Sequence, residues 1–285
     1  EVAPKVETQY AGLDSAKDIL SLPAPHNKLA NIPLIGTLGA ALTASVSTHP
    51  ATELLGTKIM AVFGAVLDLR ERSVTEGVAY DGYILDFAAD WLETLPAAKR
   101  APILNHPRFG GFLEQSYMLS APGAIEQVAE LSDVEPREMP FHISAQAKLA
   151  RIHAGPLSNW YLRRCRPAWL PSAALAAMPE NLATAQAAAP RAGALNAQYA
   201  CVLRSGWESG DLAVAMSSNT SPMGHLQNDN GTLVIGTRGE WIISDPGYQQ
   251  YMDDVEREFT LGPAAHNSPV VNGHSQIRKA SQLTL

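Results

Sequence analysis

His225-Leu-Gln-Asn-Asp-Asn-Gly-Thr-Leu-Val-Ile235 is the stretch on which the reading of this chain turns, together with its continuations Gly239-Glu-Trp-Ile-Ile-Ser-Asp-Pro-Gly-Tyr248 and His266-Asn-Ser-Pro-Val-Val-Asn-Gly-His-Ser-Gln276. Each sets polar, ligand-capable side chains beside a short apolar run. Asn228, Asp229 and Asn230 with Gly231 form a turn into Thr232–Ile235, because Asn, Asp and Gly accept the backbone angles a tight turn needs. The same rhythm extends backwards to Gln198. Tyr199, Cys201 and Leu203, then Leu212, Val214 and Met216, then Leu233 and Ile235, then Trp241 and Ile243 alternate with polar or small residues, and each run ends in Gly, Asn, Asp or Pro. A period of two bounded by turn residues predicts antiparallel, half-buried strands over 198–285.

Upstream the period changes. Ile59, Val62, Phe63 and Val66, and again Ile84, Phe87, Ala88 and Trp91, follow the i, i+3, i+4 and i+7 spacing of helices with one buried face. Pro23, Pro50, Pro96, Pro107, Pro122, Pro136 and Pro156 punctuate this region. Helices of about 12 residues joined by short loops build antiparallel hairpins, the unit of bundles and of α/α toroids alike. Residues 1–170 therefore read as a helical domain, and 171–197, rich in Ala and Pro, as a connection to the β domain at 198–285. No internal repeat of fixed period stands out.

Composition narrows the class. Of 285 residues, 46% are hydrophobic and 17% charged, the balance of a globular chain with a real core. A net charge of −7 argues against a nucleic-acid binder, whose basic face must displace phosphate counterions. The longest apolar stretches are broken by Pro33, Gly36, Gly39 and Gly64, short of the roughly 18 residues a membrane span needs. Cys165 and Cys201 make neither a disulfide framework nor a zinc-finger pattern. Phosphate-binding loops, Gly-x-Ser-x-Gly elbows and His-Glu-x-x-His motifs are absent from the sequence. A basic run, Arg163-Arg164-Cys165-Arg166 with Lys148 and Arg151, reads equally as an anion-binding patch or a solvated helix end.

The β segment resembles the C-terminal signature of the heparinase II/III family of polysaccharide lyases: Gly-His, then Asp-Asn-Gly before a strand, Asp-Pro-Gly after the next, and His-Asn before a Val-rich strand. The resemblance implies an α+β multidomain fold, an incomplete α/α toroid followed by an antiparallel β-sandwich, and 285 residues that are a portion of a longer protein. It implies β-elimination on a uronic-acid-containing acidic polysaccharide, a periplasmic or secreted location, and no organic cofactor. By family position Asn27 in Pro25-His-Asn-Lys-Leu-Ala-Asn-Ile-Pro33, Tyr80 in Glu76-Gly-Val-Ala-Tyr-Asp-Gly-Tyr83 and His225 are the expected catalytic trio, with Glu76, Tyr83 and Asn228 expected to bind substrate.

Chemistry supports those residue types. The carbanion formed at C5 of a uronate spreads into a carboxylate that is already negative, so the site needs a donor there, a base at C5 and an acid at the leaving O4. An amide donates without a fixed charge. A tyrosine, with a reference pKa of about 10, can give or take a proton, and a histidine, near 6.5, can accept one at neutral pH. Taken alone, Asn27 also reads as a helix N-cap and Tyr80 as a core residue with a wet hydroxyl.

A structural divalent metal, zinc or calcium, is implied by the same resemblance at Gln227, Asp245 and His266. An amide at Gln227 in place of imidazole suits calcium at least as well as zinc, and an ion-free hydrogen-bonded cluster is the alternative. Two other functions compete with the lyase: a carbohydrate-binding homologue without turnover, and a metal-dependent hydrolase centred on His225, Asp245 and His266.

Overall fold

The computed structural model describes residues 5, 8–47, 49–70, 75–134, 140–166, 170, 172–196, 200–218, 225, 227, 229–247, 255–274 and 276. A helix-rich region precedes an antiparallel β region, as the two periodicities require. The helices are α1 (Ala16–Leu20), α2 (His26–Leu29), α3 (Asn31–Ser47), α4 (Thr52–Arg70), α5 (Val78–Thr94), α6 (Ala97–Leu104) and α7 (Phe109–Met118). A small hairpin, β1 (Ser120–Ala121) and β2 (Ala124–Val128), leads to α8 (Pro140–Ile152), α9 (Pro156–Arg164) and α10 (Ser172–Ala177). Strands β3 (Gly193–Asn196), β4 (Ala200–Arg204), β5 (Ala213–Ser217), β6 (Leu233–Thr237) and β7 (Glu240–Ile243) follow, and then α11 (Val255–Leu261).

α3 buries Asn31, Leu34, Thr37, Leu38, Ala41 and Ala44, and α5 buries Ile84, Leu85, Ala88, Trp91 and Leu92. These stripes meet α4 and α8 in one apolar core. No helix among the described residues is long and apolar enough to cross a membrane.

The five strands β3 to β7 form one sheet in sequence order, every pair antiparallel. Strand positions follow the alternation read from sequence, but the faces are exchanged. Ala200, Val202, Ala215 and Val234 are buried and pack with Tyr117, Ile143, Trp160 and Tyr161 of the helices, and Ala213 is buried as well. Leu203 and Leu233 of the alternating pattern lie on the other face, 55% and 36% exposed, while Trp241 packs against the inner core. Small side chains on the inner face let the sheet lie close against helices. Among the described residues this is a single sheet, where a two-sheet sandwich was expected, and it begins at Gly193 within the stretch read as connection. The hairpin β1–β2 ties it down: Gly123 N donates to Trp207 O (3.0 Å), Gly239 N to Pro122 O (2.7 Å) and Trp241 Nε1 to Gln127 O (3.1 Å).

Candidate active site

Three chain segments converge on the ring of His225. The Tyr80 ring stacks on it, centroids 3.6 Å apart and planes 15° from parallel. Asn31 Nδ2 lies 3.2 Å from Nε2, Asp133 Oδ2 lies 3.0 Å from Nδ1, and Glu76 Oε1 is 3.7 Å from Nε2. The histidine side chain keeps 18% exposure, while those of Glu76 and Asp133 keep 4% and 7%. Carboxylates thus flank both ring nitrogens, and the ring keeps partial exposure.

Local sequence explains this placement. Glu76 closes the start of α3: its Oε2 accepts from Asn31 N (2.7 Å) and its Oε1 from Asn31 Nδ2 (2.9 Å). A carboxylate at a helix N-terminus satisfies an orphan N–H and meets the positive end of the dipole. Gly77 then turns the chain into α5 with φ 95°, a left-handed angle suited to glycine. Thr75 and Asp81 fasten that turn, Gly77 N donating to Thr75 Oγ1 (3.0 Å) and Thr75 Oγ1 to Asp81 Oδ2 (2.6 Å). Gln115 Nε2 adds a donor to the same oxygen (2.7 Å). Tyr80 therefore projects from the first turn of a helix whose start is fixed by a buried polar network.

The expected trio is brought together in two of its three members. Tyr80 and His225 meet; Asn27 is exposed in the short α2, with its backbone N bonded to Ala24 O (3.2 Å). Asn31, four residues on at the start of α3, is 5% exposed and occupies the place beside His225. Of the residues expected to bind substrate, Glu76 is buried with both oxygens engaged by Asn31. Tyr83 packs edge-on to Phe87 (5.2 Å) and tilted against Phe141 (4.9 Å), on the turn of α5 beyond Tyr80. Asn228 lies outside the described residues. Asp133, which the sequence offered no reason to select, is the second residue missed.

Gln227, Asp245 and His266 also lie near one another, all buried. His266 Nδ1 is 2.6 Å from Asp245 Oδ2, Gly247 N donates to Asp245 Oδ1 (3.0 Å), and Gln227 Nε2 donates to Gly247 O (2.9 Å) and to Asp133 Oδ1 (3.0 Å). Gln227 Oε1 has no hydrogen-bond partner among the described residues. Burial alone would lower the proton affinity of His266; the Asp245 hydrogen bond and charge, with Asp229 and the Thr260 backbone, outweigh it and raise the pKa. Among the described residues no group of three or more His, Cys, Asp or Glu side chains could hold a metal.

The basic run is occupied by its own protein. Arg164 pairs with Glu208 (2.9 Å), Arg151 with Glu93 (2.8 Å), Lys148 with Asp86 and Asp90 (2.9 Å each), and Arg166 with Glu126. Arg163 donates to the carbonyls of Leu182 (2.8 Å) and Ala185. It is a structural seam between helices and neighbouring loops. Trp160 and Tyr161 are core residues.

Residues 188–284 match the family described as heparinase II/III-like, C-terminal. Comparison with curated proteins finds no matching relative. Among solved structures, a crystal structure of heparinase III is similar over 93% of this chain and 42% of its own, at 16% identity and a TM-score of 0.63. The heparan sulfate lyase HepC from Pedobacter heparinus is similar over 88% of this chain and 38% of its own, at 14% identity and a TM-score of 0.52. At such identities the likeness establishes a shared fold, and the chain spans about two-fifths of the length of these structures. The resemblance read from the sequence is borne out.

Proposed function

We propose that the protein is a polysaccharide lyase that cleaves a uronic-acid-containing acidic polysaccharide by β-elimination, a reading supported by the match of residues 188–284 to the heparinase II/III-like, C-terminal family. The observation that carries this reading is the Tyr80–His225 stack with the Asn31 amide at its edge: two proton-handling groups and one carboxylate-compatible donor, supplied by both regions of the chain.

The roles follow from partners. Asn31 Nδ2 donates one hydrogen to Glu76 and directs the other at His225 Nε2, so that nitrogen is an acceptor and the ring proton sits on Nδ1 facing Asp133. His225 Nε2 takes the C5 proton, the C5–H electrons form the C4=C5 double bond, and the C4–O bond breaks as Tyr80 Oη gives its proton to the departing oxygen. Asn31 exchanges its hydrogen bond to Nε2 for one to the substrate carboxylate and stabilises the charge gathering there. Glu76 and Asp133 stabilise the imidazolium that forms. Water then returns a proton to Tyr80 and removes one from His225.

Gln227, Asp245 and His266 would hold one structural divalent ion, the buried and unpartnered Gln227 Oε1 being the donor that favours it. Such an ion would cross-link the loops behind His225, and no step of the elimination runs through it.

The test is incubation with heparan sulfate, hyaluronan and alginate, read by ultraviolet absorbance of the conjugated product and by product mass. A lyase gives absorbance and products that have not gained the elements of water. Products that have gained water, without absorbance, support the hydrolase instead; binding without either supports a module that lacks turnover.

A further inference from the structure

We infer that Asp133 is the positioning residue of this site: it fixes the tautomer and the direction of the His225 ring, and Gln227 locks Asp133 in turn. This rests on the reading of His225 as the group that takes the C5 proton. Asp133 holds its histidine at two points. Its Oδ2 faces Nδ1 at 3.0 Å, and its backbone N donates to the His225 carbonyl at 2.9 Å. The remaining oxygen, Oδ1, accepts from Gln227 Nε2 at 3.0 Å, and the same amide nitrogen donates to Gly247 O at 2.9 Å. Both hydrogens of that amide are spent on holding the carboxylate between two loops, and Asp133 itself is 5% exposed.

The backbone at both ends of this clamp adopts uncommon angles. Ser132 has φ 75° and His225 has φ 67°, left-handed values that side-chain-bearing residues seldom adopt. A carboxylate facing Nδ1 requires an N–H there, which leaves the Nε2 lone pair towards Asn31. An amide in its place could present either a donor or an acceptor to Nδ1 and would release the tautomer.

The experiment uses the protein with nitrogen-15 in its histidine rings, the His225 signals assigned by their loss in His225→Ala. In the wild type the ring nitrogens of neutral His225 report Nδ1–H; in Asp133→Asn they report a mixture or Nε2–H. In parallel, kcat on the preferred uronate polymer falls on the order of 10²- to 10⁴-fold with little change in KM, the loss expected when an orienting carboxylate is neutralised. Thermal unfolding scales these values to the folded fraction. The inference is overturned if wild-type His225 carries its proton on Nε2, a result that needs no variant to fold, or if Asp133→Asn keeps kcat. Wild-type protein inert on every uronate polymer would count against the lyase, while the tautomer measurement would still decide the role of Asp133.

Discussion

Replacing Asn31 by Ala, with Asn27→Ala beside it, separates two asparagines four residues apart in sequence, one in α2 and one opening α3. Asn31 Nδ2 reaches a buried carboxylate at 2.9 Å and the His225 ring at 3.2 Å. Its hydrogen bond to an ionised acceptor contributes about 1.5–3 kcal/mol. Alanine keeps the backbone donor to Glu76 (2.7 Å), so Glu76 is not stranded and the stability loss should stay within that range. The larger effect is on rate. Removing one preorganised donor from a developing oxyanion costs about 2.7–4 kcal/mol, on the order of 10²- to 10³-fold in kcat. Asn27 is exposed, so its substitution should change stability by less than about 0.5 kcal/mol and leave the rate alone. Urea unfolding and initial rates of ultraviolet absorbance read both quantities. A fast Asn31→Ala beside a slow Asn27→Ala would refute the assignment and return the role to α2.

Three further outcomes are expected. A Cβ built on Gly82 comes within 2.6 Å of the buried His142 ring; Gly82→Ala should cost about 1–3 kcal/mol in overpacking, reduced by up to about 1 kcal/mol of helix propensity, and should slow turnover because Tyr80 rides on the same helix. Burial and then the Asp245 charge push the Glu130 carboxyl up to about 7 from 4.5; the folded state keeps a proton that the unfolded state releases, so wild-type stability should fall from pH 4.5 to 7 and level off above. Glu130→Gln should accordingly match the wild type at pH 4 and melt higher at pH 8, measured with chelator present; equal melting at both would contradict the shift. If an ion is held at Gln227, Asp245 and His266, chelation should lower Tm, and calcium or zinc should restore it; an unchanged Tm would assign these residues to a hydrogen-bonded cluster alone.

Much of this molecule was legible in its sequence where a local pattern carries the information. The β region could be read from its period of two, and Tyr80 and His225 from contiguous motifs that carry the family resemblance, Glu76-Gly77 before Tyr80 and Gly224 before His225. Asn31 could have been separated from Asn27 by one signal: it stands two residues before Pro33, at the start of a 17-residue helix, and proline is tolerated in a first helical turn. Family position selects Asn27, and the structure places Asn31, four residues on, beside His225. Asp133 had no such signal, because its partnership spans 92 residues. The sheet misled for a different reason. Both faces of β4 and β5 carry apolar residues, and period two cannot tell which face a helix layer will cover; size decides, and the alanines went inside. The basic run looked available only until its acidic partners, far along the chain, were brought to it.

The central claim is that one proton-handling pair, Tyr80 with His225, drives elimination. The most direct test compares wild type, Tyr80→Phe and His225→Ala at saturating uronate polymer, with ultraviolet absorbance as the readout and the folded fraction measured alongside. The phenylalanine ring keeps the stack on His225 (3.6 Å) and removes only the hydroxyl, so Tyr80→Phe should remain folded; per folded molecule, both variants should lose the absorbance rise. Full-rate turnover by either variant would contradict the account.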